Sequence, residues 1–187
     1  SFRRIEDVRF LEGQGTYIDD INIEKQAYAV FIRSPHAHAI IRNIDIVTAI
    51  KAPGVLLVTI GSDWIAENYG PIPCKSVVNK FIDGSPMKLP PRHCFAIDRV
   101  RYVGEIVAMV IAETQPLAIE AAELVEVENE ELLAVIDPAE AIKPGAPQIW
   151  DDIPGNVCLD FELGNKEKTE NIFSKAHFVI TRKIKNN

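Results

Sequence analysis

The unbroken apolar run from Ile106 to Ala112 (Ile-Val-Ala-Met-Val-Ile-Ala) most restricts the folds open to this chain. It is rich in β-branched residues and far shorter than the ~18 apolar residues of a membrane-spanning helix. A short, uniform run of this kind predicts a strand buried on both faces. Thr114 then supplies a helix cap, and Pro116 falls in the first turn, where its missing N–H costs nothing. Leu117, Ala121, Leu124 and Val125 place one apolar stripe on that helix. Val125 and Val127 alternate with Glu126 and Glu128, the pattern of a half-exposed strand. Strand, helix and strand predict a βαβ unit with a right-handed crossover.

The remaining elements are organised around this unit. Apolar runs predict strands near 27–33, 39–44 and 55–60, joining those near 106–112 and 125–129. Helices are predicted near 46–52, capped by Asp45 and stopped by Pro53-Gly54, and near 116–124, with a short helical stretch from Trp64 to Asn68. Between Gly70 and His93, Pro71, Pro73, Gly84, Pro86, Pro90 and Pro91 break any regular element. A loop this long is usually functional or an interaction surface. Alternation from Ala176 to Lys185 predicts a last strand. The expected fold class is α/β (α+β), with a mixed sheet built from βαβ-like halves. The expected organisation is a lead-in at 1–12, a domain at 13–147, and a linker from 148 that runs into the first strand of a following, truncated domain by 187.

Composition excludes several functions. A net charge of −7 argues against nucleic acid, whose phosphates require a basic stripe. No segment has the length and apolarity of a transmembrane helix, and no secretory leader pattern opens the sequence. Cys74, Cys94 and Cys158 are scattered and form no Cys-x-x-Cys pair, which suits a reducing compartment and idle thiols. The expected location is the cytoplasm.

The residues capable of chemistry form no complete set. Glu105 follows a glycine at the edge of the apolar strand, where burial would raise its pKa and suit it to act as a base; the alternative is that it fixes a turn beside Arg99 or Arg101. His36 and His38 are two apart and face one side of an extended chain, but a metal needs three or four ligands, and His93 and His177 are remote. Asp19-Asp20 and Asp151-Asp152 lack calcium-loop spacing, and Ser34, Ser62 and Ser76 lack a nucleophile-elbow context. Lys75, Lys80 and Lys88 are too few for an anion patch. Gly13-Gln14-Gly15 begins like a dinucleotide fingerprint, but position 18 is Ile and no strand precedes it. No catalytic, cofactor-binding or metal-ligating residue is therefore assigned from the sequence.

Four stretches together carry a resemblance. They are Gly13-Gln-Gly-Thr-Tyr-Ile-Asp-Asp20, Arg33-Ser-Pro-His-Ala-His-Ala39, Ala52-Pro-Gly-Val55, and Arg101-Tyr-Val-Gly-Glu105 with Val107-Ala108 and Ala121-Ala-Glu-Leu-Val125. In this order they resemble the α/β hammerhead, the first domain of the large subunit in the molybdenum hydroxylase family of xanthine dehydrogenases, aldehyde oxidases and aerobic carbon monoxide dehydrogenases. The sequence has Ile106 where many relatives have Pro, and Asn129 where Tyr is frequent.

The resemblance implies an N-terminal structural and interface domain without the active site. The whole enzyme would oxidise an aldehyde, a purine-like heterocycle or carbon monoxide at a molybdenum–pterin cofactor, with a catalytic glutamate far downstream. Iron–sulfur clusters and FAD would sit on partner domains or subunits. The alternative is a free-standing, non-enzymatic binding module that reuses the fold. Surfaces for neighbours are expected at the loop 71–91, the lead-in 2–11 and the final strand 176–185, the last of which should also promote self-association.

Overall fold

The computed structural model describes residues 4–76, 80–182 and 184. Six strands are present among them: β1 (Tyr28–Arg33), β2 (Ala39–Asp45), β3 (Val55–Ile60), β4 (Arg99–Val100), β5 (Ile106–Ala112) and β6 (Glu126–Glu131). The helices are α1 (Asp7–Leu11), α2 (Val47–Ile50), α3 (Gly61–Ala66), α4 (Gln115–Ala122), α5 (Pro138–Ala141) and α6 (Lys166–Lys175).

The apolar run is the centre of its sheet. β5 lies between β1 and β3 and pairs antiparallel with both. Ala108, Val110 and Ala112 are buried on one face; on the other Val107 is buried but Met109 and Ile111 are only half-buried, so the expected burial on both faces is met in part. α4 covers one face, and its close approach depends on Ala118 and Ala121, which are fully buried. The helix's buried stripe is thus centred on these alanines, while Leu124 at one end of the expected stripe is exposed. Thr114 caps α4 by accepting from the Leu117 N–H at 3.4 Å. Val58, Val110, Ala49 and Ala121 form the core under it.

The α/β class is observed, but the mixed sheet of βαβ-like halves is not. The strands sort into two three-stranded antiparallel sheets, β1-β5-β3 and β4-β2-β6. β6 does not return beside β5; it pairs with β2 in the second sheet. Its composition explains why. Glu126, Glu128, Glu130 and Glu131 are all exposed, and charge of this density cannot enter a ladder buried on both faces. At the edge of the second sheet these carboxylates stay in water, and Glu130 meets Arg42, which sits at a bulge in β2. Ala39, Ala96, Val100 and Val107 form the core that joins the second sheet to the first, with Ile41, Ile44 and Val127 packed on it.

Two local details position these layers. Asp45, the predicted cap, accepts from the Val47 N–H at 2.8 Å from one residue before the cap position of α2, which Ile46 occupies. Gly61 begins α3 against the 96–97 backbone, so close that a Cβ there would stand 2.5 Å from the Ala96 carbonyl oxygen.

The loop between Gly70 and His93 is tied back to the body. The Ile72 N–H donates to the Arg92 carbonyl at 2.8 Å, Lys88 N–H to Cys158 at 2.9 Å and Ile82 N–H to Asp160 at 3.1 Å. Residues 148–158 are irregular but fixed. The Asn156 side chain accepts from Ile149 N–H and donates to the carbonyls of Ala141 and Pro147, each at 2.9 Å, and Ile153 is buried.

No strand forms over the described part of 176–185. The described residues 176–182 and 184 join no ladder; Lys183 and Lys185 lie outside the described residues. Alternation gives a strand two faces but not a partner, and a ladder needs both. A helix that the periodicity did not suggest, α6, precedes this tail, capped by Asn165 accepting from Lys168 N–H at 2.9 Å. Of the residues expected to face neighbours, Leu11, Ile82, Phe178, Ile180 and Ile184 are strongly exposed, whereas Phe2, Val77 and Val78 lie outside the described residues.

Candidate functional site

A set of interacting ionisable side chains surrounds the turn between β4 and β5. Gly104 adopts φ +86°, a left-handed conformation that glycine takes without Cβ strain, and so turns the chain into β5. The turn is locked to the end of β1: Ser34 N–H donates to the Glu105 carbonyl at 2.9 Å, Gly104 N–H to the Ser34 carbonyl at 2.8 Å, and the Arg33 guanidinium to the Gly104 carbonyl at 2.8 Å. The Arg33-Ser-Pro and Gly-Glu motifs are therefore two halves of one structure.

The Glu105 side chain folds back over its own turn and accepts from the Arg101 N–H at 2.5 Å. Burial pushes its pKa above the usual 4.5, outweighing this hydrogen bond, the Arg101 charge and the Tyr102 amide, which all pull it down. Arg101 is nearly enclosed. Its guanidinium donates to the carbonyls of Arg99 at 2.9 Å and Ile149 at 3.3 Å, lies 3.5 Å from Asp98, and stacks 3.8 Å from the centre of the Trp150 ring. Arg99 pairs with Asp151 at 3.5 Å. These contacts clamp the 148–153 segment onto the β4–β5 turn, beside a groove of about 820 Å³ that also takes in His93, Phe95 and Tyr102.

Chemically, this arrangement is a clamp. Both guanidiniums are directed at protein acceptors, and the carboxylate is engaged by a backbone amide. No side-chain nucleophile stands within hydrogen-bond reach of Glu105 among the described contacts.

The other sequence candidates are dispersed. His36 Nδ1 lies 3.1 Å from Glu131, while the buried His38 donates from Nδ1 to the Leu133 carbonyl at 2.8 Å, so the two imidazoles take separate partners. Asp20 accepts from Tyr17 N–H at 2.8 Å in a short turn. Ser34 Oγ accepts from His36 N–H at 3.1 Å. His177 is exposed on the tail. Cys74, Cys94 and Cys158 are free thiols. Among the described residues, no three His, Cys, Asp or Glu side chains gather in a way that would hold a metal ion. No helix of the described residues is long and apolar enough to cross a membrane.

Sequence reasoning missed Trp150 and Asn156. Arg101 and Trp150 are far apart in the chain, and no local pattern announces such a stack. Asn156 had a signal in Pro154-Gly155-Asn156, a turn sequence, but its partners are not legible from it.

Comparison with known proteins agrees with this architecture. Residues 12–133 match the family model described as "Aldehyde oxidase and xanthine dehydrogenase, a/b hammerhead domain". The chain is 33% identical over 189 residues to the carbon monoxide dehydrogenase large chain of Afipia carboxidovorans, covering 95% of this chain and 22% of that one. It is 41% identical over 179 residues to the nicotine 6-hydroxylase large subunit of Paenarthrobacter nicotinovorans, covering 95% of this chain and 21% of the relative. The structure of reconstituted CO dehydrogenase from Oligotropha carboxidovorans superposes with a TM-score of 0.76 at 32% identity, over 95% of this chain and 22% of that chain. The chain thus spans about a fifth of the length of these relatives. With its two antiparallel sheets and the family model covering most of its length, the chain belongs to the a/b hammerhead family of aldehyde oxidases and xanthine dehydrogenases.

Proposed function

We propose that this chain is the N-terminal structural and interface domain of a molybdenum hydroxylase large subunit, and that the catalytic residues lie in the rest of that subunit. The observation that carries this reading is the family match over 12–133 in a chain that spans 22% and 21% of the large subunits it resembles. The clamp at Arg101 and Glu105 supports it, since its charged groups are committed to holding the fold.

The whole enzyme would oxidise an aldehyde, a purine-like nitrogen heterocycle or carbon monoxide. The 41% identity to a nicotine hydroxylase subunit supports the nitrogen heterocycle among these. When bound, the molybdenum–pterin group would supply the two-electron oxidation, and iron–sulfur and FAD domains or subunits would carry the electrons away. An architectural role for this chain is supported by its described residues gathering no three His, Cys, Asp or Glu side chains that could ligate a metal ion. Residues 13–147 would be the hammerhead proper, with 148–187 leading into the next domain.

The test is oxidation assayed with nicotine, quinoline, hypoxanthine, an aldehyde and carbon monoxide, using an artificial electron acceptor. The intact polypeptide with its partner subunits is expected to oxidise at least one of them, and residues 1–187 alone none. Turnover by residues 1–187 alone would overturn the reading.

A further inference from the structure

We draw no further inference here: the strongest candidate, the groove of about 820 Å³ between the 89–93 loop, the β4–β5 turn and the 148–153 segment, shares Arg101, Glu105 and Trp150 with the clamp already described, and nothing in the structure shows what covers it.

Discussion

Arg101 makes four contacts at once, two of them to the 148–153 segment through the Ile149 carbonyl and the Trp150 ring, so its loss should be felt well beyond its own position. Arg101→Ala removes a desolvated cation–π stack and two hydrogen bonds, at about 1 kcal/mol each, and leaves Trp150 without its partner. A loss of about 2–4 kcal/mol in urea unfolding is expected, with Arg101→Lys recovering little, because an ammonium cannot stack and fork as a guanidinium does. A loss under about 0.5 kcal/mol would mean that the clamp is dispensable. Glu105 is the second test at this scale. Burial raises its folded pKa above the unfolded value, so the native state binds the proton more tightly than the unfolded chain does. Its contribution is therefore fully present below the unfolded pKa and declines as pH rises through the folded one. Glu105→Gln keeps an acceptor for the Arg101 amide and removes the ionisation. The variant should gain stability relative to the wild type as pH rises from 4.5 upward. Curves that stay parallel across that range would contradict the raised pKa.

At the scale of elements, what the sequence made legible depended on whether the determinant was local. β5 was legible because its place in the middle of a sheet leaves an unbroken apolar run from Ile106 to Ala112, although Met109 and Ile111 are only half-buried. The cap at Thr114 and the Asp45 start of α2 were legible because a cap and its helix are adjacent in sequence. The partner of β6 was not. Its alternation showed a strand with one wet face, but the same pattern suits a neighbour of β5 or of β2, and only the Glu130–Arg42 pairing and the exposure of its glutamates decide between them. The described residues of the tail at 176–185 show the same limit: alternation is present in the sequence, and they join no ladder. Of the site, the Gly104-Glu105 turn was readable and the Trp150 stack was not, since the latter joins distant stretches. Tight backbone approaches give the element-scale prediction. Gly61→Ala places a Cβ 2.5 Å from the Ala96 carbonyl oxygen, and backbone cannot move aside cheaply. A destabilisation of about 1–3 kcal/mol is expected in thermal or urea unfolding. A neutral result would show that the start of α3 and the 96–97 segment shift apart freely.

At the scale of the whole molecule, the tail beyond α6 exposes large apolar side chains. Phe178 is 91% exposed, and Ile180 and Ile184 accompany it. Isolated residues 1–187 should therefore self-associate in sedimentation velocity, and a version ending at Lys175 should do so less, because the apolar tail is gone. Equal association of the two would place the sticky surface elsewhere. The measurement that bears most directly on the large-subunit reading is molybdenum by elemental analysis, made in parallel on the intact subunit and on residues 1–187 produced in the same cells. The account predicts molybdenum approaching one per intact subunit and none above background on residues 1–187. Stoichiometric molybdenum on residues 1–187, or its absence from an intact subunit that is folded and assembled with its partners, would contradict it.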